Sequence, residues 1–201
     1  MKLLIYEHIT AGGHVGKGVS PSILSEGFGM LRILISDFKA AGHFVITFLD
    51  SRLITFSPSL DADEIITITS RGELEKTLTT LSKSVDAVYI IAPESSQVLQ
   101  RLVECVEEAG GVSLNCTATA IEKVSNKYTI YDELKRNGIR MPDTLMVDSC
   151  EDIKKIRHTV SELGFPLIFK PIDGVGCQGL SIVKNERQIT TALDKLMEES
   201  V

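Results

Sequence analysis

Short apolar runs, each followed by a longer stretch with helical spacing, recur through the first 115 residues. That alternation restricts the chain to few architectures. KLLIY (Lys2 to Tyr6) reads as a buried strand opening into a Gly- and Ser-rich loop, EHITAGGHVGKGVSPS. From Ile23 to Ala41, apolar residues fall at Leu24, Phe28, Leu31, Ile35 and Phe38, a helical stripe with Gly42 as its stop. HFVITFLD, EIITITS and DAVYIIAPE read as further strands, and RGELEKTLTTLSKS and SSQVLQRLVECVEEAGG as helices, the second closed by Gly110 and Gly111. VSLN reads as a short strand and SRLITFSPSLDAD as loop. Strands alternating with helices predict an α/β unit with a mainly parallel sheet covered on both faces.

The character changes after Asn115. TATAIEKVSNKYTIYDELKRNG predicts two short helices ending at Gly138, and TLMV, just past Pro142, a strand. CEDIKKIRHTVSELG predicts a helix with Ile153, Ile156, Val160 and Leu163 on one face and Ser149 or Asp148 as its cap. A strand (FPLIFKPI), a glycine-rich loop, a strand (LSIV) and a helix (NERQITTALDKLMEES) follow. The sequence therefore divides into an α/β domain over 1–115, a helical linker over 116–142 and a second unit over 143–201.

Composition narrows the function classes. With 201 residues, 43% hydrophobic and 24% charged, the chain can bury a core in one or two domains. A net charge of −6 argues against a nucleic-acid partner held by a basic surface. No apolar run approaches the roughly 20 residues that span a bilayer, and the opening MKLLIYEHIT is too short an apolar region for a signal peptide. The expectation is a cytoplasmic protein with no membrane partner. Cys105, Cys116, Cys150 and Cys177 form no C-x-x-C pair, so reduced, packed thiols are expected. Cys177 alone lies in the glycine loop, where it is a candidate reactive thiol.

The stretch FPLIFKPIDGVGCQGLSIV carries Gly174, Gly176 and Gly179 at G-x-G-x-x-G spacing. A dinucleotide fingerprint needs that spacing to end a strand and open a helix, but the apolar, strand-like LSIV follows. AGGHVGKGVS is no phosphate loop either: Gly18 stands where a Ser or Thr must hold magnesium, and Ala11 where the first Gly belongs. What remains is a glycine hairpin between two strands. One reading is a lid whose backbone N–H groups close over triphosphate oxygens, with Lys170 reaching a phosphate as a point charge. The other is a surface hairpin with a snorkelling lysine.

The lysine ahead of the loop favours the first. FPLIFKP followed by DGVGCQG resembles the first nucleotide-binding lysine and glycine-rich loop of the ATP-grasp superfamily. SNKYTIYDELKRNGIRMPDT is similar to that family's Asn/Asp-Lys, helix, Gly-Ile and Pro-x-Thr stretch. Lys127 then stands as the other nucleotide-contacting lysine. The resemblance implies a parallel-sheet pre-ATP-grasp domain followed by the first α+β subdomain of an ATP-grasp domain, with ATP held by Lys127, Lys170, Gly174, Gly176 and Gly179. IAPE, the apolar helix after it, LNC and then the lysine resemble an archaeal group that includes the tyramine–glutamate ligase of methanofuran biosynthesis.

The implied reaction is ligation of a small-molecule carboxylate to an amine through an acyl phosphate, with ATP and Mg2+ as cofactors. The family's adenine-hinge strand and Asp/Glu/Asn magnesium cluster have no counterpart before Val201. The metal ligands are therefore expected beyond Val201, with none on this chain, and the chain alone is expected to be inactive. A non-catalytic nucleotide- or metabolite-binding module is the alternative, and a homodimer is an open arrangement.

Further candidates sit at strand ends. Glu7, Gly12 and Gly13 follow the first strand, at an edge that hosts ligands in open α/β sheets. The D-alanine–D-alanine ligases carry a Gly-Gly and a following Ser and Glu in this region, echoed by Ser25 and Glu26. The competing reading is a permissive turn with a solvated Glu7. His8 and His14 flank the same loop, either titrating near neutrality or serving as polar loop residues. Glu94, after YIIAP, can hold a substrate amine or act as a helix N-terminal carboxylate. Asp173 can touch nucleotide or cap the glycine turn, the cap being the preferred role.

Overall fold

A computed structural model describes residues 1–55, 59–148 and 151–199. Two compact units divide the chain: Met1–Pro93 with Val98–Ile121, and Glu94–Gln97 with Glu122–Val201.

The first unit is the alternating part. Its strands are β1 (Lys2–Glu7), β2 (Phe44–Asp50), β3 (Glu64–Ile68) and β4 (Ala87–Ile91), all parallel in the order β3-β2-β1-β4. Helices α1 (Pro21–Ala40), α2 (Arg71–Ser82) and α3 (Val98–Glu108) connect or follow them. Side chains of a strand alternate between faces, so β1, β2 and β4 each serve two cores, while β3 contributes Ile66 and Ile68 to one. Leu4, Tyr6, Ile46, Phe48, Val88 and Ile90 pack with Leu74, Leu78, Val103 and Val106 of α2 and α3. Leu3, Ile5, Val45, Leu49 and Ala87 pack with Phe28, Leu31 and Ile35 of α1. The apolar runs of the sequence are continuous because both faces are covered. Ser20 caps α1 with Pro21 in its first turn, and Gly42, at φ +82°, ends it.

The expected VSLN strand is reduced to one parallel bridge, Val88 to Ser113. A side chain completes the pairing: the Asn115 amide donates to the Ile90 carbonyl at 2.8 Å, and its Oδ1 accepts the Ile90 N–H at 2.9 Å. The carboxamide stands in for one further strand residue along the outer edge of β4.

Helix α4 (Ala118–Ser125) crosses the division between the units. The second unit holds α5 (Lys127–Arg136), α6 (Ile153–Ser161), the antiparallel pair β5 (Leu167–Phe169) and β6 (Ser181–Val183), and α7 (Ile189–Glu199). Ile156, Val160, Phe169, Val183, Ile189, Ala192 and Leu193 form its core. The glycine stretch thus joins two antiparallel strands, as its apolar flanks require.

Two local expectations are corrected. TLMV forms no strand: among the described residues no strand pairs with it, and Val147 packs against the core. Helix α6 is capped by Asp152, whose carboxylate accepts the Lys154 N–H, and not by Asp148; Ser149 lies outside the described residues. Among the described residues, no helix is long and apolar enough to cross a membrane.

Candidate functional site

In the second unit the chain gathers charge around one lysine. Asn126 caps α5, accepting the N–H groups of Tyr128 and Thr129, and this places Lys127 in the first helical turn. The Lys127 backbone N–H donates to the Ile172 carbonyl at 2.9 Å, which fastens the helix start to the loop leaving β5. Its ammonium reaches the Gly174 carbonyl at 3.0 Å. The Lys127 pKa is held below its ordinary value, first by partial burial and then by the Lys170 charge; Asp173 and Glu94 oppose the shift. The Lys170 charge thus acts against the Lys127 ammonium, which sits in the first turn of α5, the end of a helix that favours an anion.

Lys170 follows Phe169 directly. Phe169 is buried in the core, so strand alternation turns the exposed Lys170 to the opposite side. The loop from Pro171 to Leu180 then turns on residues with left-handed backbone. Gly174, Gly176 and Gly179 have φ of +120°, +63° and +67°, and Cys177 adopts +59° despite its side chain. The glycine spacing is accordingly a requirement of backbone conformation. At Gly179 a Cβ also meets Leu196 at 3.1 Å. Cys177 is exposed.

Asp173 does not cap this turn. Its carboxylate accepts the Ser96 N–H at 3.2 Å. Ser96 and Gln97 both have positive φ, 53° and 60°, in the turn after β4. Glu94 directly precedes a 3-10 turn, Ser95–Gln97, that runs into α3, and its charge acts on Lys127. Lys127, Lys170, Gly174, Asp173 and Glu94 are thus brought into one neighbourhood. The sequence offered no signal for the pairing of Asp173 with Ser96.

The first unit places its candidates at the C-terminal edge of the sheet, where strand order reverses between β1 and β4. Glu7 is buried, not solvated, and its carboxylate is taken up locally: it accepts from the Ile9 N–H at 3.0 Å, the Thr10 N–H at 2.8 Å and the Thr10 hydroxyl at 2.7 Å. Gly12, at φ +95°, lies so close to Ile68 that a Cβ would meet its Cγ2 at 2.8 Å, and Gly13 leaves room for the His8 ring. Glu26 is exposed on α1, while its neighbour Gly27 backs directly onto the Glu7 carboxylate. Arg52 grips the loop, pairing with the Asp50 carboxylate and donating to the carbonyls of His14 and Lys17 at 3.0 and 2.8 Å. Burial, together with His14 and Arg71, lowers the His8 pKa to about 4, so His8 does not titrate near neutrality.

Among the described residues, no group of three or more His, Cys, Asp or Glu is arranged to hold a metal. Glu94 and Asp173 are only two carboxylates, and both counter Lys127.

A pre ATP-grasp 3 domain matches residues 43–121, and an ATP-grasp domain matches residues 124–201. Tyramine–L-glutamate ligase of Methanocaldococcus jannaschii is 28% identical over 158 residues, covering 74% of this chain and 49% of that protein. The chain spans about half the length of this relative. The biotin carboxylase domain of the Hydrogenobacter thermophilus 2-oxoglutarate carboxylase, a dimer solved with MgADP, ADP and bicarbonate, shares the fold at 17% identity. Its TM-score is 0.69, over 100% of this chain and 41% of that one. An ATP-grasp superfamily protein of Archaeoglobus fulgidus has a TM-score of 0.60 at 21% identity, covering 92% of this chain and 49% of that one. The chain belongs to the ATP-grasp superfamily, with a parallel-sheet pre-ATP-grasp unit followed by ATP-grasp sequence.

Proposed function

We propose that this chain is the front portion of an ATP-dependent carboxylate–amine ligase acting through an acyl phosphate. The observation that carries the reading is the convergence of Lys127 and Lys170 beside a loop whose three glycines all adopt left-handed backbone. Lysine ammoniums and loop amides are what a triphosphate recruits, so Lys127, Lys170, Gly174, Gly176 and Gly179 are the residues that hold ATP. In the resting loop, Lys127 donates to the Gly174 carbonyl. A phosphate oxygen is a stronger acceptor, and accepting from Lys127 frees that carbonyl and lets the loop settle on the nucleotide.

Bound ATP supplies the γ-phosphoryl group. A carboxylate oxygen forms a bond to that phosphorus, the β,γ-bridging P–O bond breaks, and ADP leaves. The amine nitrogen then attacks the acyl carbon, gives up a proton, and inorganic phosphate departs. The lysines neutralise charge on the phosphates through both steps. A tyramine–glutamate ligase-like pairing of substrates, in the cytoplasm, is the finer reading, and its support is the likeness to the Methanocaldococcus jannaschii enzyme.

Hydroxylamine trapping tests the reaction class. The reading frame containing this chain, expressed to its natural end, is incubated with ATP, Mg2+, L-glutamate and hydroxylamine. Hydroxamate formed in step with ADP supports an acyl phosphate. ATP binding without hydroxamate, across a panel of carboxylates, favours the alternative of a nucleotide-binding module.

A further inference from the structure

The sheet edge of the first unit holds a fixed hydrogen-bond donor. Tyr6 is fully buried, and its hydroxyl lies 3.0 Å from Nδ1 of His8. A buried hydroxyl that only accepted would leave its proton unsatisfied, so Tyr6 donates and Nδ1 accepts. His8 is then neutral with its proton on Nε2. The lowered His8 pKa, set first by burial and then by the His14 and Arg71 charges, also keeps the ring neutral. The ring rests over the Cα of Gly13 and meets the His14 ring edge-on, with centroids 5.5 Å apart. The His8 backbone N–H donates to the Ile91 carbonyl at 2.8 Å, which sets the residue at the mouth between β1 and β4. Arg71, at the start of α2, exerts its positive charge on both Tyr6 and His8. Of the buried acids at this edge, Glu7 is used by its own turn and Asp50 by Arg52.

We propose that His8 is a substrate-binding residue of the first unit, its Nε2–H donating to a carboxylate of the acid substrate near the Arg71 charge, with Tyr6 as the positioning residue that locks the tautomer. This rests on the ligase reading, and it assigns the carboxylate to His8 instead of Glu7. The groups facing His8 are Tyr6 and Glu7 on β1, His14 on the loop and Arg71 on α2.

The test is side-chain 15N NMR of the histidines in the whole chain. L-glutamate, acetate and inorganic phosphate are titrated separately, and ATP is titrated in parallel. His8 shows an unprotonated Nδ1 and a protonated Nε2, and Tyr6→Phe abolishes that preference. L-glutamate and acetate shift the Nε2–H resonance. His8→Ala weakens L-glutamate about tenfold or more, and His8→Gln, which keeps a neutral donor, recovers part of it. The proposal is overturned if Tyr6→Phe leaves the tautomer unchanged, if neither carboxylate moves His8, or if phosphate moves it equally. ATP bound normally alongside any of those results leaves the ligase reading standing. A carboxylate response at His8 in a chain that fails to bind ATP supports the carboxylate site and overturns the ligase reading.

Discussion

Gly27 and Gly29 lie two residues apart on α1, yet the same substitution must act on them in opposite directions. At Gly29 an added Cβ meets nothing within 4 Å. Gly29→Ala therefore gains helix propensity and stabilises by about 1 kcal/mol. At Gly27 the Cβ arrives 2.7 Å from Oε2, 2.9 Å from Cδ and 3.0 Å from Oε1 of Glu7. A carboxylate at the end of a flexible side chain normally steps aside. This one is buried and holds three donors of its own turn, so it moves only by loosening them. Overpacking costs about 1–3 kcal/mol. Losing one hydrogen bond to a charged acceptor costs about 1.5–3 kcal/mol more. Against the same propensity gain of about 1 kcal/mol, Gly27→Ala destabilises by roughly 1.5–5 kcal/mol. Urea unfolding followed by far-UV circular dichroism reads both variants on one scale. A Gly27→Ala midpoint at or above that of Gly29→Ala would refute the anchoring role given to Glu7.

Three further outcomes follow from other contacts. The folded His8 pKa of about 4 lies below the unfolded value of 6.5, so the unfolded chain binds the extra proton. Stability contributed by neutral His8, up to about 3 kcal/mol, is full above pH 6.5 and lost as pH falls toward 4. His8→Gln flattens the urea midpoint between pH 7 and 4.5, and an unchanged slope contradicts the assignment. Asn115→Ala removes both hydrogen bonds to Ile90 and costs about 1–3 kcal/mol in the same assay; a neutral effect denies the side chain its strand-like part. Purified chain 1–201 binds ATP but releases no ADP when carboxylate and amine are added, and substrate-dependent ADP release overturns that expectation.

Periodicity made most of the fold legible in the sequence. The apolar runs of β1, β2 and β4 are continuous because two helical layers cover them. LSIV after the glycines could only mean a hairpin, and β5 with β6 forms one. Long-range pairings were out of reach of local spacing. TLMV has the composition of a strand but no partner among the described residues, and partners are set by the whole topology. Asn115 looked like part of a motif, and its reason is the open edge of a strand 25 residues earlier. Lysine and glycine positions marked the second-unit cluster, but not that Asp173 turns away to Ser96. Nor did the pattern reveal that Lys127 rests on the Gly174 carbonyl. In the first unit, Glu7 attracted notice as an acid at a strand end. Its burial follows from Gly27, a contact that only the packed helix creates.

Nucleotide titration of four proteins tests the central claim most directly: the unsubstituted chain, Lys127→Ala, Lys170→Ala and Lys154→Ala. Lys154 is the exposed comparison; Lys135 is a poorer one, since its ammonium holds the Tyr131 hydroxyl at 2.7 Å. Each charge-assisted phosphate contact is worth about 1.5–3 kcal/mol, so loss of either site lysine weakens ATP by about tenfold or more. Lys154→Ala binds as the unsubstituted chain does. Equal ATP affinity in all four proteins would contradict triphosphate binding by this region and return the glycine hairpin to an ordinary turn.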